Sequence, residues 1–150
     1  SSDVCSSDLD RGPRRFETGT PSFEAIAAVE AAARYLTEES MARIEAAETA
    51  TFAPLLEGLL ATPGVRVHGA AEIRDRTPTV AFTVRGRHPD EVAAALARER
   101  IAVWSGHSYA VEAVGQLGLA ESGGVVRAGV VRYVSDDDVA RLLAAVRALA

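Results

Sequence analysis

The sequence predicts an α+β fold in which long helices join a small mixed or antiparallel sheet, of about four strands, that helices cover. Three observations lead to it. Apolar residues recur at helical spacing from residue 23 to residue 60. Short runs rich in β-branched residues, bounded by glycine and proline, follow after residue 63. Helical patterns separate these runs and close the chain.

Two helices are expected first. Thr20 is predicted as the N-cap of the first helix, with Pro21 at its first position. The apolar stripe of this helix is Phe23, Ile26, Val29, Ala33 and Leu36. The second helix is expected from about Glu38 to Leu60, where Pro54 should kink it or start a new helix.

The later part of the chain predicts the sheet. Strands are expected at Val65–Gly69, Thr79–Val84 and Ile101–Trp104. A helix should begin at His88, with proline next and acids in its first turn, and end near Arg98, giving a βαβ-like unit. A short helix is expected at Tyr109–Leu117. After a final strand, Ser135 should cap the last helix in a capping box.

The final strand holds the strongest functional signal. Period-two counting from Val125 to Val131 places Arg127 and the small Gly129 on one face and Val126 on the other. A guanidinium in an otherwise apolar strand is costly to bury unless an anion meets it. We therefore predict a carboxylate-binding site at Arg127.

Composition narrows the function classes. The 150 residues suit one ordinary domain, and a net charge of −5 argues against a nucleic-acid partner. No apolar run reaches the length of a membrane span and the start does not resemble a signal peptide, so a cytoplasmic location is expected. The single cysteine excludes an internal disulfide. His68 and His88 lack a second ligand at metal spacing and are predicted to be solvated, so no metal site is expected.

All 16 basic residues are arginines, so the chain has no lysine. Chemistry that needs a lysine Schiff base cannot be carried by this chain alone.

Three segments resemble a known family in their order along the chain: residues 16–21 (FETGTP), 103–110 (VWSGHSYA) and 126–133 (VRAGVVRY). They are similar to the C-terminal part of class V aminotransferases, the fold-type I pyridoxal-phosphate enzymes that include cysteine desulfurases. The resemblance covers nearly everything after Asp10. It implies that residues 63–150 form the C-terminal small α+β domain and residues 10–62 the helices that connect it to a large domain missing upstream.

The resemblance also implies roles for individual residues. Gly19 and Thr20 would contact the phosphate of pyridoxal phosphate in the neighbouring subunit of a homodimer. Arg127 would pair with the α-carboxylate of an amino-acid substrate, a bidentate task that suits a guanidinium. Ser105 and His107 would begin the loop that lies over the active site and contact the substrate.

Two residues depart from the family pattern. Tyr109 stands where desulfurases place their persulfide-forming cysteine, so desulfuration by that route is not expected. Trp104 stands where the most similar desulfurases have arginine. The Schiff-base lysine of the family would lie upstream of these residues, so we expect a transaminase or lyase whose present segment is inactive alone.

Residues 1–9 are predicted to be a disordered tail or an artefact, because residues 5–9 (CSSDL) resemble translated sequencing adapter. The alternative for the whole chain is a stand-alone α+β module that binds a small ligand or regulates a partner. The βαβ-like unit and the absence of lysine favour that alternative, whereas the family motifs favour the enzyme.

Overall fold

The computed structural model describes Gly12, Phe16 and residues 19–150, so the predicted tail at residues 1–9 lies outside the described part. Within the described residues the chain forms five helices and four strands. In chain order these are α1 (Phe23–Glu39), α2 (Met41–Leu60), β1 (Val65–His68), β2 (Thr79–Val84), α3 (Pro89–Arg98), β3 (Trp104–Gly106), α4 (Val111–Gln116), β4 (Val125–Gly129) and α5 (Asp136–Leu149). The predicted α+β fold is confirmed.

The sheet has the strand order β1-β2-β4-β3, and each neighbouring pair is antiparallel. Because β2 and β3 both run antiparallel to β4, they run parallel to each other, with α3 as their crossover. The βαβ-like unit is therefore present in split form, with β4 inserted between its two strands. The predicted strand Ile101–Trp104 is misplaced, since only Trp104 belongs to β3. Pairing with β4 selects Trp104–Gly106 instead.

One hydrophobic core lies between one face of this sheet and helices α2, α3 and α5. Phe82 and Val126 from the strands, Leu59 from α2 and Val146 from α5 have no exposed surface. Fully burying one such side chain contributes roughly 1.5–3 kcal/mol. This core stabilises the sheet, and side chains on the opposite face of the sheet take no part in it.

The caps of α3 and α5 follow the sequence prediction. The ring of His88 accepts a hydrogen bond from the Asp90 N–H, and Glu91 reaches back to the His88 N–H. Ser135 and Asp138 form the corresponding box at α5. These hydrogen bonds from Ser135 lower the pKa of Asp138. Both helix starts are therefore fixed by local chemistry.

The start of α1 differs from the prediction. Its N-cap is Ser22, not Thr20, and the Ser22 side chain makes no capping hydrogen bond. Pro21 precedes the cap instead of opening the helix. Ser22 has an extended conformation (φ −75°, ψ 90°), so the helix begins only at Phe23.

The boundary between the first two helices is also later than predicted. Helix α1 runs to Glu39, and Ser40 then adopts a positive φ of 68°. Helix α2 begins at Met41 instead of Glu38 and continues past Pro54, which does not start a new helix. Its buried residues belong to the core of the sheet: Phe52, Leu55, Leu56 and Leu59.

The chain divides into two compact units, one up to Met41 and one from Ala42 to Ala150. The first contains α1, which has no buried residue although its apolar stripe has helical spacing. The second contains the sheet and its covering helices. The boundary expected near residue 62 stays a prediction. Among the described helices none combines the length and the apolar character that a membrane crossing requires.

Candidate functional site

The strand register places a row of side chains on the open face of the sheet, the face opposite the core. His68 pairs with Ala81, Ala81 with Arg127, and Arg127 with Trp104. Directly paired residues of antiparallel strands project from the same face. The neighbours of Arg127 along β4, Val126 and Ala128, belong to the core on the opposite face. The period-two assignment of Arg127 is thus confirmed.

Arg127 itself is exposed, so its guanidinium does not carry the burial cost that the sequence suggested. That part of the expectation is wrong, because the apolar residues around it in β4 face the other side of the sheet. Among the described residues, no carboxylate and no hydrogen-bond acceptor meets the guanidinium. The group is therefore available to an external anion, and a planar guanidinium suits a carboxylate.

A hollow of about 300 Å³ adjoins Arg127. Its lining is formed by Thr79, Ala102, Val103, Trp104, Arg127, Ala128 and Gly129. Gly129 keeps it open, because a Cβ there would come within 3.3 Å of the Thr79 hydroxyl oxygen. The hollow is at the lower end of the size range of ligand pockets, which begins at about 300 Å³. It matches a single small molecule.

Ser105 points away from this hollow. It pairs with Val126, whose side chain is buried in the core, and its hydroxyl donates to the Asp90 carboxylate over 2.6 Å. This bond ties β3 to the first turn of α3. The structure therefore does not bring the Ser105 hydroxyl to the side of Arg127, and its substrate contact stays a prediction.

His107 begins a tight exposed loop. Its Nδ1 accepts a hydrogen bond from the Tyr109 N–H over 3.1 Å. Ser108 and Tyr109 both have positive φ, 48° and 62°, so neither belongs to a helix, and α4 begins only at Val111. The predicted helix start at Tyr109 is therefore wrong. The Tyr109 side chain is 94% exposed. The Ser108 hydroxyl is buried with no hydrogen-bond partner among the described residues.

Two glycines fix the base of this loop. A Cβ on Gly124 would lie 2.5 Å from the carbonyl oxygen of Gly106, and a Cβ on Gly123 would overlap the ring of His88. Both glycines have positive φ. The close approach of the chain before β4 to β3 therefore requires glycine. It positions the 105–109 loop relative to Arg127.

His68, at the far end of the row, is only 8% exposed, so the prediction of a solvated side chain is wrong. Its Nε2 lies 3.0 Å from the Thr83 hydroxyl oxygen on β2. Burial, and to a smaller extent the nearby Arg66 charge, lower the pKa of His68 and favour the neutral ring. Pairing of β1 with β2 brings His68 to Thr83, a contact that local sequence could not reveal. His88, by contrast, is exposed as predicted.

Gly19 and Thr20 lie in the other unit, where both are exposed. They precede the Ser22 N-cap of α1 instead of capping it. The first-turn N–H groups of a helix have no partner within the helix. Their contact with a phosphate stays a prediction.

From the sequence, Trp104 is only a departure from a family pattern and Asp90 only an acid in the first turn of a helix. The structure gives both a place near the site: Trp104 is the direct partner of Arg127 on the open face, and Asp90 holds Ser105. Alternation along β3 would have indicated the face on which Trp104 lies. The predicted strand ended at Trp104, so this alternation could not be seen. Within the described part of the chain, no group of three or more His, Cys, Asp or Glu side chains could hold a metal ion.

The described residues thus form an α+β domain in which helices cover one face of a four-stranded antiparallel sheet and Arg127 lies on the other face. A family model described as aminotransferase class V matches residues 2–142. The chain therefore belongs to the class V aminotransferase family.

Curated and solved relatives agree with this. A probable cysteine desulfurase 2 from Mycobacterium leprae (strain TN) is 37% identical over 134 residues, which are 89% of this chain and 31% of that protein. The apo structure of a cysteine desulfurase from Thermococcus onnurineus NA1 superposes with a TM-score of 0.86 at 33% identity, covering 93% of this chain and 34% of that one. An Escherichia coli cysteine desulfurase in its S-sulfonic acid form gives a TM-score of 0.81 at 27% identity, with 93% of this chain and 34% of that chain covered. The chain spans about a third of the length of these relatives.

Proposed function

We propose that this chain forms the C-terminal part of a homodimeric pyridoxal-phosphate enzyme that acts on an amino acid as a transaminase or lyase. The observation that carries the proposal is Arg127, an exposed guanidinium that meets no anion among the described residues and stands beside a hollow of about 300 Å³. In this role Arg127 binds the substrate carboxylate through paired N–H donors.

The hydrogen-bond donors of this chain suit the phosphate group of pyridoxal phosphate, but the chain lacks the lysine amine that would attach the cofactor. Thr20 is exposed, and Ser22 does not cap the first turn of α1 with its side chain. A hydroxyl and free backbone N–H groups at a helix start favour a phosphate. The chain has no lysine, so the amine that would attach the cofactor must come from residues outside this sequence. We therefore expect these residues alone to have no turnover.

Pyridoxal phosphate, when bound, would supply an electron sink for the chemistry at the substrate α-carbon. The residues of this chain bind and orient around that chemistry. Arg127 fixes the carboxylate and so limits rotation of the substrate. The loop of residues 105–109, anchored through Ser105 and Gly124, borders the same strand edge.

Tyr109 narrows the reaction. The relatives named above are cysteine desulfurases. The resemblance of this chain to such enzymes implies that they have a persulfide-forming cysteine where this chain has Tyr109. A phenol cannot accept sulfur to form a persulfide. The proposal is therefore transamination or elimination on an amino acid instead of desulfuration through residue 109.

The test compares Arg127→Gln with Arg66→Gln in the complete enzyme loaded with pyridoxal phosphate. Arg66 is a matched control, because it lies on the same open face in β1, two strands from Arg127. Losing a charged hydrogen-bond partner costs about 1.5–3 kcal/mol, so the apparent KM should rise about tenfold or more for Arg127→Gln alone. Cofactor absorbance should be retained in both variants. An unchanged KM for Arg127→Gln would remove Arg127 from the substrate site.

A further inference from the structure

We infer that Trp104 selects the side chain of the ligand, and that the site takes an amino acid with an aromatic side chain. This inference rests on the proposed function, because it assumes that Arg127 holds the α-carboxylate. It adds a specificity-determining residue and a substrate class.

The first support is the register of β3 and β4. Trp104 pairs directly with Arg127. The Cβ atoms of directly paired residues are about 4.5–5.5 Å apart. A ligand of amino-acid size whose carboxylate meets the guanidinium therefore lies within reach of the indole.

The second support is the exposure of the indole ring. Trp104 is 60% exposed, although it lies in a strand that pairs along its whole length with β4. A large ring in this position leaves apolar surface in contact with water, and a flat apolar ligand would cover it. The indole N–H is also free to contact a polar ligand atom, as no described residue accepts a hydrogen bond from it.

The third support is the shape of the hollow. Beside the two large side chains its lining includes the small residues Ala102 and Gly129. These leave space next to the ring instead of filling it. The volume of about 300 Å³ suits one amino acid and is small for a peptide or a dinucleotide.

Charge and apolar area then decide among amino-acid classes. A cationic side chain over the indole would lie close to the Arg127 guanidinium, and like charges at this distance repel. A methyl or hydroxymethyl side chain would leave most of the indole uncovered and gain little from it. An aromatic ring gains both the covered area and the ring–ring interaction. Aromatic amino acids are therefore preferred.

The test is a titration of the ¹⁵N-labelled 150-residue chain followed by NMR, which does not depend on the cofactor. Trp104 is the single tryptophan, so its indole N–H gives one resonance that reports on the site. The ligands are L-phenylalanine, L-alanine and phenethylamine, which lacks the carboxylate. We expect L-phenylalanine to shift the indole resonance and the Arg127 and Gly129 amides, with L-alanine binding about tenfold more weakly. Phenethylamine should give no saturable shift.

Three variants test whether Trp104 determines the preference for L-phenylalanine over L-alanine. Trp104→Leu should lower L-phenylalanine affinity about tenfold, to the level of L-alanine, without changing L-alanine affinity. Trp104→Phe keeps a ring and should retain most of the preference, which also covers the case of a poorly folded leucine variant. Tyr133→Leu is the control, since this 86% exposed aromatic side chain lies outside the sheet. It should change neither affinity.

The outcomes separate the two proposals. Equal affinities for L-phenylalanine and L-alanine, or an unchanged preference in Trp104→Leu, would overturn the role of Trp104 and leave the carboxylate site at Arg127 intact. Absence of any shift with either amino acid would overturn both.

Discussion

The two faces of the sheet use the same strands for different purposes. On the covered face Val80, Phe82 and Val126 have no exposed surface and pack against three helices. On the open face Arg127 is exposed and Trp104 is 60% exposed. Alternate residues of one strand are thus either packed in the core or exposed, so that a change on one face need not disturb the other.

The largest expected effect is the loss of stability when the core on the covered face is disrupted. Phe82→Ala should lower the free energy of unfolding by about 3–5 kcal/mol, because it removes a fully buried ring and leaves a cavity. Trp104→Ala is the matched aromatic truncation on the open face and should cost about 1 kcal/mol or less. Denaturant unfolding followed by far-UV circular dichroism measures both. Similar losses in the two variants would contradict the division between the faces.

The next effect concerns the close approach that positions the loop beside the open face. Gly124→Ala should cost about 2–3 kcal/mol, since φ is 88° and the added Cβ would lie 2.5 Å from the Gly106 carbonyl oxygen. Gly86→Ala is the control: its φ is 71°, but nothing lies within 4 Å of the added Cβ. It should cost about 1 kcal/mol. Equal losses of unfolding free energy would mean that conformation alone, without the contact, requires Gly124.

The smallest effect concerns His68 and appears only with pH. Burial lowers the pKa of His68, so the unfolded state binds its proton more readily than the folded state. Its stabilising contribution is full above the ordinary value of 6.5 and is lost as pH falls through the lower folded pKa. The free energy of unfolding should therefore fall less between pH 7.5 and pH 5.5 in His68→Asn than in the unchanged chain.

Asp138 does not confuse that measurement. Its pKa is lowered from 3.8 by hydrogen bonds from Ser135, so its contribution is lost only at still lower pH. A steeper fall in His68→Asn than in the unchanged chain would show that the buried ring is not neutral in the folded state.

Local chemistry made part of this fold predictable. Proline, capping residues and period-two alternation predict strand β2 at Thr79–Val84, the helix starts at His88 and Ser135, and the placement of Arg127 and Gly129 on the same face of the last strand. These signals act over a few residues, so the sequence carries them directly.

The errors arose where distant pairing decides the outcome. The contact between His68 and Thr83 requires β1 to pair with β2, and the placement of β3 requires β4 to lie between β2 and β3. The bond from Ser105 to Asp90 joins residues 15 apart. The N-cap of α1 was a different kind of error, since Thr20 and Ser22 are both good caps and flank Pro21. A site at Arg127 could be proposed from the sequence, whereas the pairing of Arg127 with Trp104 could not be foreseen.

The most direct test of the account measures two quantities in one variant, Arg127→Gln. The dissociation constant of L-phenylalanine comes from the NMR titration, and the free energy of unfolding comes from denaturant unfolding. We expect the affinity for L-phenylalanine to be about tenfold weaker or more, and the free energy of unfolding to change by less than about 0.5 kcal/mol. Unaltered affinity together with a large loss of stability would show that Arg127 supports the fold instead of binding a carboxylate.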